Sequence, residues 1–323
     1  MRVAERIPNV YPQEVEFARG SIWVLAGVNG PDSKTPIVRI DPKSKKIIAR
    51  IDPGNGYISG GAWQMADDPT GLWIVMPTMS NPPDGFDPGP VPKDIQTVYK
   101  GGRRTRADLN QESIAGGLAL IEPNTNKVLR RVMFLDWTPT SLVSTPAGLW
   151  IVVGDRSGEV LARMDTKTGV FHVILRASEG ALRPGFGSIW GSAEGAVHRL
   201  DSATGKVLAA INTGTPRDLA IGPDAVWVTT DKQVIRIDPA TNRISARINL
   251  ADGWGIAADG RSVVVALFRG HQLVRIDPAR NVVVDRVDLE EPDPVNPITT
   301  EVTIADGSAW VVNGTELVRI ALG

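Results

Sequence analysis

The chain has 323 residues, 42% of them hydrophobic and 22% charged, with 33 glycines and 24 prolines. Its formal net charge of −1 and pI of about 6.3 set up no global field for nucleic acid or an anionic membrane, and no apolar run has membrane-spanning length. The absence of cysteine removes disulfides and thiolate chemistry and is compatible with either redox compartment.

The first predicted element is a strand over residues 2–7. A repeated unit follows, in which a small residue and an aliphatic precede Trp and then an aliphatic. Trp23, Trp73, Trp150, Trp190, Trp227 and Trp310 hold the aromatic position, and Val264 holds it in the sixth copy. After each comes an Arg-Ile-Asp element: Arg39-Ile40-Asp41, Arg163-Met164-Asp165, Arg199-Leu200-Asp201, Arg236-Ile237-Asp238 and Arg275-Ile276-Asp277. Leu120-Ile121-Glu122 and Arg319-Ile320-Ala321 are degenerate copies.

The clearest copy, residues 234–248, reads as two strands around a tight turn. Asp238 can accept from backbone amides two or three residues on, and Pro239 presets φ. Asn242 falls where a left-handed residue is needed; Asn126, Gly169, Gly205, Asn281 and, unusually, Lys45 fall at the same place. Agreement in turn chemistry as well as hydrophobicity makes this a structural repeat.

Each unit therefore predicts four antiparallel strands in roughly 40 residues, the signature of a propeller blade. Seven units predict an all-β, seven-bladed β-propeller over residues 1–323 as a single domain. The last unit lacks a fourth strand. Residues 3–7 match residues 244–248 and 47–51 position by position, so the N-terminal strand is expected to complete the last blade and close the ring.

The blade pattern resembles the YVTN-repeat and virginiamycin B lyase-like seven-bladed propellers. Trp227-Val228-Thr229-Thr230 and Trp310-Val311-Val312-Asn313 stand where the YVTN signature would, and the Asp-Pro-x-Thr-Asn turn is equally typical. The resemblance covers nearly the whole chain and implies a scaffold that hosts binders, lyases and hydrolases alike. With a chain that begins inside a strand and shows no signal peptide, it also implies an exported, extracytoplasmic protein whose signal has been removed; a cytoplasmic location is the alternative.

Function is expected where the repeats are broken. In a propeller, the loops from outer to next inner strand and those between second and third strands share one face, the top. The long segments here, residues 25–36, the blade 2 insertion at about 77–116 and residues 290–299, belong to neighbouring blades on that face. The off-pattern Trp63, Trp137 and Trp254, and Tyr11, Tyr57 and Tyr99, map to the same end. Aromatics around a concave mouth suit an apolar or ring-containing ligand.

Alignment of the inner strands on the repeat Trp places Glu14, Asp218 and Glu301 in one register, with Gly255 leaving space in blade 6 and Arg217 one residue above Asp218. Carboxylates converging on the axis could hold Ca²⁺ or Mg²⁺, or be neutralised by Arg217 or by water. His172 and His198 read as structural; His271, in a top-face loop, is the one histidine placed to act as acid or base. The lyases that the chain resembles combine a histidine base with acidic Mg²⁺ ligands on inner strands, and no inner strand here carries a histidine.

Two basic or turn motifs carry less. The basic run at residues 100–106 reads as a solvated loop in a chain of this charge, so nucleic acid is not an expected partner. The turn at residues 201–206 lacks the docking Trp of quinoprotein repeats.

The leading expectation is a monomeric binding protein without membrane insertion. It would take a small molecule or peptide at the top mouth through Tyr57, Trp63, Trp137, Arg217 and Trp254. A metal-dependent lyase or hydrolase with Glu14, Asp218 and Glu301 as ligands and His271 as base is the alternative, and a protein-interaction scaffold using the blade 2 insertion is the third reading.

Overall fold

The second strands are the most buried of each unit, and the reason is packing on both faces. Ser21–Ala26, Val226–Thr230, Val263–Leu267 and Ser308–Asn313 are buried at every position. Outer strands such as Arg243–Asn249 alternate instead, because one face meets solvent.

In the computed structural model, which describes residues 1–8, 10–26, 37–53, 64–76, 114–135, 138–155, 158–167, 171–176, 180–290 and 299–323, the strands form seven four-stranded antiparallel sheets arranged in a ring. Blades 1 to 6 take their strands in chain order. Blade 7 is Thr299–Ala305, Ser308–Asn313 and Glu316–Ala321, completed by the N-terminal strand Arg2–Ile7. Val3 pairs with Ile320 and Ile7 with Leu317, so the first and last strands of the chain share one ladder.

Among the described residues, the core divides into seven apolar clusters, each spanning two adjacent blades. One joins blade 7 to blade 1 through Trp310, Val312, Ile22 and Val24. The repeat Trp always packs forward, toward the next blade: Trp23 against blade 2, Trp190 against blade 5, Trp227 against blade 6. In blade 6 the smaller Val264 takes that place, and Met1 and Val3 help fill the cluster. Each fully buried Trp removes a large apolar surface from water, so the wedge between blades is where ring stability resides.

The Arg of the repeat does two jobs. It lies over the Trp of its own blade, at 5.0 Å for Arg39 on Trp23 and 5.2 Å for Arg199 on Trp190. It also donates to the turn of the next blade: Arg199 Nη1 reaches the Pro239 carbonyl at 2.6 Å and Asn242 Oδ1 at 2.9 Å, and Arg39 reaches Asn126 Oδ1 at 3.0 Å. The left-handed residue and the Arg are therefore partners across a blade boundary. Asn126, Asn242, Asn281, Gly205 and Lys45 all have positive φ, as the turn chemistry requires. Asp238 Oδ1 accepts from the Ala240 amide at 2.8 Å, and Asp41, Asp201, Asp277 and Glu122 repeat the bond.

Replacing Asn242 with alanine is expected to cost about 1–3 kcal/mol, from left-handed strain plus the lost acceptor for Arg199. Asn242→Gly keeps the backbone freedom and should cost less. Equal losses in the two variants on chemical denaturation would assign the effect to the Arg199 bond alone.

The blade 2 insertion lies outside the described residues for most of its expected length. Its last residues, from Ile114, belong to the third strand of that blade, Ile114–Glu122.

Candidate functional site

The inner strands are regular along most of their length and irregular near the top. In blades 1, 3, 5, 6 and 7 the pairing of inner to second strand slips at the same height, leaving Gln13, Thr140, Arg217–Asp218, Trp254–Gly255 and Thr300–Glu301 without a ladder partner. A bulge of this kind re-aims side chains away from the sheet. All of these residues except Gly255 line a cavity of about 720 Å³ at the top of the central channel, together with Glu14, Gln64, Arg183 and Asp231.

The acid register predicted from sequence lies at this cavity: Glu14, Asp218 and Glu301 all line it. One layer deeper, opposite the repeat Trp, two further charged groups join them. Glu16 pairs with Trp23 and Arg183 with Trp190, where the other blades have Ala66, Val143, Ala220, Ala257 and Thr303.

Arg183, from the inner strand Leu182–Gly185 of blade 4, is the central cation. Its Nη2 meets Asp218 Oδ1 at 2.9 Å, and Nη1 donates to the Leu182 carbonyl at 3.0 Å. Asp218 is committed elsewhere as well: Oδ1 accepts from the Leu219 amide at 2.7 Å, and Oδ2 accepts from the Ile256 amide of blade 6 at 3.1 Å. Gln64 and Ser141 make the same cross-blade bond, accepting from the amides of Leu142 and Leu182. Part of the inward polar ring thus stitches one blade to the next.

The sequence offered Arg217 as one group that could neutralise the acids, and here the structure differs. Arg217 pairs with Asp231 at the rim and lies 4.7 Å over Trp254; Arg183 meets the acids instead. Arg183 escaped notice because its register, two residues past the acid register, is apolar or small in five of the seven blades. Comparing that deeper layer across blades would have found both Glu16 and Arg183. A second correction concerns Gly255, which does not open a space. A Cβ there would overlap the Thr300 carbonyl oxygen, so glycine permits the inner strands of blades 6 and 7 to approach closely.

Electrostatics in the cluster follow from burial and crowding. Burial, then repulsion from Glu301, raises Glu14 well above the usual carboxylate range. Burial pushes Glu16 up to about 7, against the pull of Arg183. Burial and the nearby Asp218 push Glu301 up to about 8. Burial works against the Arg183 charge too, but Asp218, Glu14, Glu16 and Glu301 together outweigh it and raise the guanidinium further.

A consequence for stability can be worked out in sign. Glu14, Glu16 and Glu301 bind protons more tightly folded than unfolded, so they contribute stability that is fully present below about pH 4.5 and is lost as pH rises, through about 7 for Glu16 and about 8 for Glu301. The turn carboxylates Asp41, Glu122, Asp201 and Asp238 are shifted down by hydrogen bonds to the turn, so their contribution is lost in the opposite direction, below about pH 4. The melting temperature is expected to peak near pH 5 and to be about 2–5 °C lower at pH 8. A flat profile from pH 5 to 8 in scanning calorimetry would contradict the assignment.

The other predicted site residues divide. Trp254 lines the upper cavity, stacked on Phe268 at 4.6 Å between centroids and 24° between planes. Tyr57, Trp63 and Trp137 lie outside the described residues, as do most of the long top-face segments. His271 sits in the turn between Val263–Leu267 and Gln272–Asp277 with φ of 44°, and does not line the cavity. Its Nδ1 is buried without a hydrogen-bond partner.

The donor set also bears on a bound cation. Both Asp218 oxygens accept hydrogen bonds and Arg183 lies among the acids, and among the described residues no group of three His, Cys, Asp or Glu is placed to hold a metal ion.

Solved structures share this architecture at low identity. The Kuenenia stuttgartiensis hydrazine synthase superposes with a TM-score of 0.65 at 12% identity, over 98% of this chain and 97% of its own. The Myceliophteria thermophila Cps50 (Swd1) β-propeller domain gives 0.68 at 11% identity, over 99% of both chains.

The fold is a seven-bladed β-propeller.

At such identities the likeness carries the fold and nothing further. No protein-family model matches the sequence, and no curated protein matches it. Among the described residues no helix is long and apolar enough to cross a membrane.

Proposed function

We propose that the propeller is a ligand-binding protein of the YVTN type that takes a small molecule or short peptide at the top of its central channel. The observation that carries this reading is the concentration of off-repeat side chains on one cavity. Five bulges direct Gln13, Thr140, Arg217, Asp218, Trp254, Thr300 and Glu301 at the same roughly 720 Å³ space, a size typical of small-molecule sites. Trp254 supplies an aromatic surface. Glu14 and Glu301 supply acceptors that, once protonated, also donate. Arg217, paired with the exposed Asp231 and lying over Trp254, supplies a cation at the rim.

The reading favours binding over turnover on the arrangement of groups. Arg183 holds Asp218 in a structural role, and His271 is placed away from the cavity lining. The protein-interaction reading rests on the blade 2 insertion, outside the described residues, and no observation here raises it above the first.

The test is a ligand-observed NMR screen of ring-containing small molecules and short peptides against the whole chain, followed by titration calorimetry. Hits are expected to lose at least tenfold in affinity in Trp254→Ala and in Glu301→Gln. Calorimetry with Ca²⁺ and Mg²⁺ runs alongside. Saturable metal binding lost in Glu301→Ala, or hits indifferent to both variants, would overturn the reading.

A further inference from the structure

The channel holds a second cavity below the first. Its volume is about 330 Å³, at the small end of ligand sites, and it is built from the lower halves of the inner strands of blades 1 to 4. Every residue lining it is among the described residues. The two cavities meet at Glu14, Gln64 and Arg183, which line both. Below that neck the character changes. Glu16 stands at the inner end, and apolar surface from Met65, Leu142 and Leu182, contributed by three different blades, lies beside polar groups. Phe17, 39% exposed, stands at the lower opening, where the Arg19–Asp67 pair at 2.6 Å balances its own charge.

Charge decides what fits. Arg183 is paired with Asp218 and pulls on Glu14 and Glu16 as well, so one guanidinium serves several acids, and the other cation among the lining residues, Arg19, is paired with Asp67. Taking an anion into this space would add like charge to a crowded acid cluster. A neutral molecule would add no counter-charge to the cluster. An ammonium group supplies one, and its apolar substituent replaces water along the walls.

We propose that the lower cavity is a distinct binding site for a small primary or secondary monoamine, its ammonium group on Glu16 and Glu14 and its compact apolar body against Met65, Leu142, Leu182 and Phe17. The site shares Glu14 with the upper mouth but uses neither Trp254 nor Arg217. Because burial holds Glu16 near 7, arrival of a cation at neutral pH drives proton release from the site.

The experiment uses the full chain with hexylammonium as probe and hexan-1-ol and hexanoate as matched neutral and anionic controls. Calorimetry at pH 7 in two buffers of different ionisation enthalpy reads affinity and proton release together. Hexylammonium is expected to bind one-to-one with protons released, at least tenfold more tightly than either control. Glu16→Gln should weaken it at least tenfold and diminish the proton release. Phe17→Ala, at an exposed position where folding is not at stake, should weaken it severalfold. Trp254→Ala should change it by less than about twofold while weakening binding at the upper mouth at least tenfold, so failure of one site is separable from failure of the other. The proposal is overturned if hexanoate or hexanol binds as well as hexylammonium, if no saturable binding occurs, or if affinity is unmoved in both Glu16→Gln and Phe17→Ala.

Discussion

Replacing Arg183 with methionine is expected to cost about 3–5 kcal/mol of stability at pH 8 and clearly less at pH 5. The guanidinium is the cation that meets Asp218 and offsets Glu14, Glu16 and Glu301. Methionine fills much of the same volume, so the loss is electrostatic rather than a cavity effect. At pH 8 the variant must either bury carboxylates without a counter-charge or take up protons against the bulk pH. At pH 5 the three glutamates already carry their protons, and only Asp218 loses its partner. The difference between the two pH values is therefore the signature, read by urea denaturation. A loss of the same size at both would mean that Arg183 matters for packing and not for charge.

Gly255→Ala is expected to be nearly as damaging, at about 2–4 kcal/mol, because the added methyl meets backbone and not a side chain that can swing away. It would overlap the Thr300 carbonyl and lie 3.1 Å from the Glu301 Cα, so the inner strand of blade 7 has to retreat. That movement widens the channel beside Glu301 and lets water reach it. The Glu301 carboxyl should accordingly fall from about 8 toward the ordinary range. Side-chain carbonyl chemical shifts followed through a pH titration read this directly. Gly270→Ala, where a Cβ meets only Leu267 side-chain atoms at 3.4 and 3.5 Å, is the matched control and should cost less than about 1 kcal/mol. If the two alanine variants melt together, the close approach at Gly255 is not what holds these strands.

The scaffold was legible because its determinants are local and recur. Trp190, Arg199 and Asp201 recur together at fixed places within a single blade, and most blades state the rule again. The left-handed Asn242 could be placed before its partner Arg199 was known to reach it. Closure by residues 3–7 was legible for the same reason, since they carry the outer-strand pattern. The site was legible only in one layer. Glu14, Asp218 and Glu301 share a register, and the register can be counted. Arg183 is a lone departure at a position that is otherwise small or apolar, so no repeat announces it, and its role depends on reaching Asp218 in the next blade. Gly255 was misjudged because sequence shows the missing side chain but not the carbonyl that takes its place. His271 could be placed only by its turn, and the structure adds a φ of 44°, a buried Nδ1 and a position off the cavity lining.

The five bulges have a consequence for how such a protein can change. The positions they expose at the channel, among them Gln13, Thr140, Arg217, Trp254 and Thr300, have stepped out of the hydrogen-bond ladder. Substitution there need not disturb the pairing within a blade, and the wedge of Trp and aliphatic residues between blades lies elsewhere. Recognition and architecture are thus written in different letters of the same strand. A library randomised at these five sites should yield folded variants with altered ligand preference far more often than one randomised at their ladder-paired neighbours. Evolution has had the same freedom to retarget the mouth while leaving the ring intact.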